Sequence, residues 1–290
     1  MARWLCLAAA SVSAASAGAP LVLSTTASDS SGGSSVQADL LTVETAQQRG
    51  AGAAVVRRNS NGTLSWKLWH EPRVEALAAA SLGNGFVRAL ADGTLPRDNF
   101  AGYVAQDKFF LEVFSQAYTL AITKLADSDT VGIESFSVLV KGVLDELKLH
   151  SAYAAQWGVD TSDVQPTAEC AAYVNFLKHV ASEMDVAACA AAMVPCMRLY
   201  AFLGQQIQAE ARTTSSSAGA YQEWVDTYAD PGFEELALTL EGLLDRYASG
   251  VPAERVDELR ELYVKAMQLE LDFFDAWNPK RIEGEKKDEV

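Results

Sequence analysis

From about Trp66 to Trp277, apolar residues recur at alternating steps of three and four, and strand-like alternation is essentially absent. That period belongs to helices that bury one face. Helices are predicted to begin at Pro72, at Pro96 (running toward Asp127), near Ile133, at Thr167, at Asp185, near Tyr221, at Gly232 and at Pro252. The stretches between them are rich in Gly, Pro, Asp and Ser, as in ADGTLP, ADSDTVG, GVDTSDVQPT, ARTTSSSAG, ADPG and ASGVP. Such clusters end helices and make turns. The prediction is an all-α bundle with short loops.

The inward seams carry an irregularity. On the helix after Pro96 the seam runs Phe100, Tyr103, Asp107, Phe110, Phe114, Ala117, and on the next Phe136, Leu139, Val143, Glu146, His150, Tyr153. Two further seams read Cys170, Tyr173, Leu177, Val180 and Cys189, Met193, Cys196, Tyr200, Leu203. The last reads Leu259, Tyr263, Ala266, Glu270, Phe273, Trp277. A carboxylate on one apolar seam is commonly a wet edge. Asp107, Glu146 and Glu270 fall on separate seams, and buried carboxyl groups must find hydrogen bonds, cations or a proton. Together they predict a polar pocket inside the bundle. Pro195, directly before Cys196, predicts a kink or break in its helix.

Composition narrows what that pocket does. The chain has 290 residues, 49% of them hydrophobic, enough for a sizeable core. Its formal net charge is -15, with no Lys/Arg run longer than a pair, which excludes a nucleic-acid surface. Outside the extreme N-terminus no uninterrupted apolar run reaches membrane length, so no membrane partner is expected for the body of the chain. Residues 1–62 combine a leader without acidic residues with a Ser/Gly-rich linker, and residues 279–290 form a charged tail. The leader is read as a cleaved organellar address, for chloroplast or mitochondrion, with a secreted or cytoplasmic protein as the alternative. The helical domain is assigned to residues 63–278.

Two chemistries suit the seam residues. A di-metal carboxylate site needs Glu-x-x-His pairs, but Glu146 and His150 are four apart and no second histidine sits on an equivalent seam. No CxxC spacing supports a zinc site either. Nucleophilic catalysis by a cysteine thiolate with a carboxylate moving protons fits better, with Cys196 on one seam and Glu270 on another.

The phrases FVRALADGTLPRDNFAGYVAQDKFFLEVF, DELKLHSAYAAQWGV, PTAECAAYVNFL, AAMVPCMRLYAFLG, YQEWVDTYADPGFEEL and KAMQLELDFFDAW occur in this order between Phe86 and Trp277. In content, order and spacing they resemble the TenA/thiaminase II family. The resemblance implies the haem-oxygenase-like helical fold and an aminopyrimidine aminohydrolase of thiamin salvage, needing no metal or organic cofactor. It implies that Cys196 is the nucleophile and Glu270 the acid/base group. Asp107 and Tyr173, with Tyr228, would bind the pyrimidine, and Phe110, Tyr200 and Phe273 would line it. Glu146, a turn before the histidine, would support these groups without touching substrate. A small aminopyrimidine or thiamin-derived substrate and a homo-oligomer, commonly a tetramer, are the implied partners.

Two departures stand out. Asn84-Gly85 replaces a frequent His-Pro, and Met197-Arg198 replaces an aromatic pair, as in the plant-type branch, where the region is often fused to a phosphatase domain. No such domain follows Trp277, so a separate phosphatase is expected to act with it. The sequence suggests no role for Arg198. The rivals are a PqqC-like oxidase on the same fold, which needs a basic, histidine-rich pocket, and a non-catalytic thiamin or pyrimidine binder, which would not require both Cys196 and Glu270.

Overall fold

A computed structural model describes residues 62–157, 164–214 and 217–280, with the side chains of 149–157 outside the description. The proposed leader, most of the charged tail, and the side chains of His150 and Tyr153 therefore lie outside the described residues. The helices are α1 (Leu64–Trp69), α2 (Pro72–Gly83), α3 (Gly85–Ala91), α4 (Arg97–Thr123), α5 (Thr130–Trp157), α6 (Ala168–Glu183), α7 (Val186–Thr214), α8 (Gln222–Tyr228), α9 (Pro231–Tyr247) and α10 (Ala253–Ala276). A 3-10 turn over Gly219–Tyr221 leads into α8. No strand occurs among the described residues.

Capping explains most of the boundaries. Thr167 Oγ1 accepts from the Cys170 amide at 3.2 Å, and Asp230 Oδ1 accepts from the Gly232 amide at 2.7 Å, satisfying first-turn donors. The helix expected near Ile133 starts at Thr130, because Asp129 Oδ1 takes the Gly132 amide at 3.1 Å. The helix expected to reach Asp127 ends at Thr123, leaving that polar run to the turn. The sequence reading has no counterpart for α3, whose seven residues are too few to show a period. Asn84 starts it, Oδ1 accepting from the Phe86 amide at 2.8 Å.

Helix α7 is the axis of the bundle and packs against α4, α6, α8, α9 and α10. Its 29 residues are long and apolar enough to cross a membrane, but 78% of its most apolar window is buried by those neighbours, as in a core helix. Pro195 does not break it: the helix runs continuously from Val186 to Thr214, with the proline buried inside. The missing amide costs one internal hydrogen bond, and packing on every side offsets it.

Arg198 now has a structural account. One turn beyond Pro195, it donates to Glu241 at 2.6 and 3.0 Å and to both Glu234 oxygens at 2.8 and 2.9 Å. This largely buried guanidinium ties α7 to α9.

Candidate active site

Seven long or short helices turn one side chain or more into a single cavity of about 470 Å³, measured with its opening to solvent. Helix α4 contributes Asp107 and Phe110, α5 Glu146, α6 Tyr173, α7 Cys196 and Tyr200, α8 Tyr228, and α10 Glu270 and Phe273. Leu111, Phe114, Val143, Met197 and Phe233 complete the lining, so the wall is apolar except for three carboxyls, three phenols and a thiol.

Local structure holds these groups in place. Gln106, next to Asp107, receives the Thr167 amide at 2.8 Å and donates to the Gln165 carbonyl at 3.0 Å, which fixes the start of α6 and hence Tyr173. Tyr173 Oη donates to Glu270 Oε1 at 2.7 Å, and Tyr228 Oη to Glu146 Oε1 at 3.4 Å. The Tyr103 and Tyr200 hydroxyls share a hydrogen bond at 3.1 Å, and Trp224 Nε1 donates to Tyr103 Oη at 3.4 Å. Ring contacts at 4.8 Å, Phe110 with Tyr173 and Tyr200 with Tyr228, leave two aromatic walls. Tyr228 sits deep because α7 and α8 touch at Gly204, where a Cβ would meet the Tyr228 carbonyl carbon at 2.5 Å.

The electrostatics are one-sided. No lysine, arginine or histidine is among the described lining residues. Desolvation, followed by the charges of Glu146 and Glu270, pushes Asp107 well above the usual carboxylate range. Desolvation likewise pushes Glu270 up to about 7, against the stabilising hydrogen bonds from Tyr173 and Cys196. Glu146 also rises to about 7 by desolvation, against its bond from Tyr228. Burial, then the carboxylates of Glu270, Asp107 and Glu146, raise the Cys196 thiol well above its ordinary value. The resting site therefore holds a neutral thiol, with Glu146 and Glu270 poised near neutrality, the range in which an acid/base group exchanges protons most readily. It favours a guest that brings protons or positive charge and repels a phosphate.

All nine residues singled out from the sequence line this one cavity. Glu146 differs in placement: it faces the cavity rather than standing behind it. The sequence reading missed Phe233, and the support of Tyr200 by Tyr103 and Trp224. Tyr103 was visible as a seam residue, but Trp224 lies in the short α8 and Phe233 in the first turn of α9, where no long seam points inward. Among the described residues no group of three or more His, Cys, Asp or Glu has metal-holding geometry.

A helical cage around a thiol and carboxyls, with no basic lining residue described, defines a class of buried small-molecule site. Residues 72–278 match the TENA/THI-4/PQQC family, to which the chain therefore belongs. It is 34% identical over 237 residues to the mitochondrial bifunctional TH2 protein of Arabidopsis thaliana, covering 75% of this chain but only 37% of that protein's length. It is 28% identical over 211 residues to the aminopyrimidine aminohydrolase of Halalkalibacterium halodurans, covering 71% of this chain and 92% of that enzyme. The crystal structure of a TenA family transcription regulator from Silicibacter sp. superposes with a TM-score of 0.66 at 26% identity, covering 74% of this chain and 96% of the other. The TenA homologue of P. horikoshii gives a TM-score of 0.65 at 21% identity, covering 74% and 98%, and supports the fold alone.

Proposed function

We propose that the protein is a hydrolase of thiamin salvage, replacing the amine on the methylene carbon of an aminomethyl-pyrimidine by hydroxyl, with thiamin as a second substrate. The observation that carries this reading is that the Cys196 thiol and the Glu270 carboxyl, the latter held by Tyr173, stand on the wall of one aromatic cavity. The name of the Halalkalibacterium halodurans relative, an aminopyrimidine aminohydrolase, points the same way.

The mechanism follows from the groups present. Glu270, as carboxylate, takes the thiol proton, and the sulfur adds to the electron-poor ring while Asp107, protonated in its buried position, lends its proton to a ring nitrogen. With aromaticity lost, the C–N bond at the methylene carbon breaks and Glu270 returns its proton to the departing amine, which leaves as ammonia. Water adds to the exposed methylene carbon and gives a proton to Glu270; the C–S bond then breaks, the ring nitrogen returns its proton to Asp107, and Glu270 reprotonates the sulfur, so substrate and water yield alcohol and ammonia. Asp107 and Glu146, with proton affinities raised by burial, hydrogen-bond the ring nitrogens and the exocyclic amine. The rings of Phe110, Tyr200, Tyr228 and Phe273 hold the pyrimidine between faces. A quinone-forming oxidase would want basic groups here, and none is among the described lining residues.

Cys196→Ser is expected to lower single-turnover release of hydroxymethyl-pyrimidine by about a thousandfold or more, with pyrimidine affinity by calorimetry nearly unchanged. Tight binding without turnover in the unsubstituted protein would favour a non-catalytic binder instead. Equal rates in both proteins would remove Cys196 as nucleophile. We further propose a mitochondrial address, in line with the Arabidopsis relative's printed location, and a homotetramer. The exposed Leu120, Val138 and Leu144 on α4 and α5 support self-association.

A further inference from the structure

Buried polar groups in folded proteins almost always have a hydrogen-bond partner, so those without one need a reason. Tyr118 on α4 is 0% exposed, and its hydroxyl has no partner. The residue lies about three turns beyond Asp107 on the same face. Its ring packs edge-on against Phe114 at 4.8 Å and tilts against Phe136 of α5 at 6.0 Å, while Phe114 stacks on the cavity residue Phe110 at 5.1 Å. It therefore stands one ring layer beneath the cavity. Helical side chains lean toward the helix N-terminus, which on α4 is the direction of Asp107. Burial raises the proton affinity of this phenol, and the neighbours that add to the effect are Cys196 first and Glu146 second.

The chemistry at Cys196 supplies the reason. The groups that share the cavity wall with the sulfur are Asp107 from α4, Glu146 from α5, Glu270 from α10 and the phenols of Tyr173 and Tyr228 from α6 and α8. The carboxylates oppose a negative charge on sulfur. The phenols have other partners: Tyr173 donates to Glu270, Tyr228 to Glu146, and Tyr200 is paired with Tyr103. Tyr118 is the buried phenol beside this site that lacks one.

We propose that Tyr118 is a positioning residue whose hydroxyl turns to the Cys196 sulfur as the thiol gives up its proton, stabilising the thiolate from beneath the cavity. This rests on the reading of Cys196 as nucleophile. The thiol proton goes to the Glu270 carboxylate, and Tyr118 keeps its own proton and donates only a hydrogen bond, so no bond to Tyr118 forms or breaks. An unpartnered donor costs stability in the resting protein and acts where charge develops, the usual trade at a preorganised site.

The test needs no substrate, so it stands apart from the success of the hydrolase reading. Alkylation of Cys196 by iodoacetamide is followed at the peptide level from pH 7 to 10 in the full chain, in Tyr118→Phe and in Tyr263→Phe. Tyr263 is the control: it is also completely buried with a partnerless hydroxyl, but its charged neighbours are Glu241 and Arg198. Tyr118→Phe is expected to move the alkylation profile to higher pH, lowering the rate at a fixed pH by roughly tenfold. Its melting temperature should stay the same or rise, while Tyr263→Phe should leave the profile in place. The proposal is overturned if the Tyr118→Phe profile coincides with that of the unsubstituted protein, or if Tyr263→Phe shifts it as far. A lower melting temperature for Tyr118→Phe than for Tyr263→Phe would assign the hydroxyl to the fold and overturn it equally.

Discussion

Helix α7 carries two buried acidic neighbourhoods less than a turn apart. On the side of Arg198, Glu234 and Glu241 are gathered around a guanidinium that meets both of them. On the side of Cys196, Asp107, Glu146 and Glu270 converge on a cavity with no described basic lining residue. Burial raises the proton affinity of Glu241 and Arg198 opposes it, while the two glutamates in turn raise that of Arg198. In the cavity, phenols and the thiol oppose desolvation, and Glu146 and Glu270 reach about 7. Charge that is neutralised holds helices together. The cavity carboxyls instead keep raised proton affinities among phenols and a thiol, and the position of each residue around α7 decides which neighbourhood it joins.

Removing the cation is the largest way to break this comparison. Arg198→Ala leaves two carboxylates facing each other in a mostly buried site, and a loss of about 3 kcal/mol in urea unfolding is expected. Replacing Arg198 and Glu241 together with Met and Leu should recover most of that loss, since paired removal of a buried ion pair is often close to neutral. Neither change should alter the pH dependence that arises in the cavity. A full loss persisting in the double variant would show that the pair contributes more than mutual neutralisation.

The cavity carboxyls should show themselves through pH. Between their ordinary value near 4.5 and their folded value of about 7, Glu146 and Glu270 hold protons in the folded protein that the unfolded chain has released. Their contribution is fully present below the unfolded value and is lost as pH rises through the folded one, so the substrate-free protein becomes less stable from pH 5 to pH 8. Glu270→Gln keeps an acceptor for Tyr173 and cannot ionise. It should reduce that loss by about 2 kcal/mol, and Glu146→Gln by a similar amount. Urea midpoints at the two pH values check this, and unchanged pH dependence in both variants would mean that the carboxyls are well solvated.

The two neighbourhoods were not equally legible from the sequence. Asp107, Glu146, Tyr173, Cys196 and Glu270 interrupt long apolar seams, so helical period alone turns them inward, and the ordered phrases around them supply proposed roles. Arg198 could not be read this way, because its meaning lies in Glu234 and Glu241 on another helix, and pairing across helices leaves no period. Tyr118 escaped for a related reason. The seam was followed from Phe114 to Ala117, yet α4 buries both Ala117 and its neighbour Tyr118, because packing on α5 and α6 covers a wider arc than one stripe. Pro195 misled in the opposite direction: its local preference for a break is overridden by burial along the whole of α7.

The smallest of these perturbations separates the neighbourhoods most cleanly. Gly204 lies on α7 one turn past Tyr200, and a Cβ there would meet the Tyr228 carbonyl carbon at 2.5 Å and the Ala229 amide nitrogen at 2.6 Å. Backbone cannot swing aside as a side chain can, so Gly204→Ala must push α8 away from α7. Overpacking of this kind costs about 1 to 2 kcal/mol. The displacement falls on Tyr228, whose 3.4 Å bond to Glu146 is already long. The Arg198 cluster reaches to α9 by its own bonds and should keep them. Gly204→Ala is therefore expected to weaken pyrimidine binding several-fold by calorimetry, and with the Tyr228 bond to Glu146 weakened, the loss of stability above pH 7 should steepen. If binding weakens while that pH dependence stays as it was, Tyr228 serves the guest as an aromatic wall and contributes nothing to the charge on Glu146.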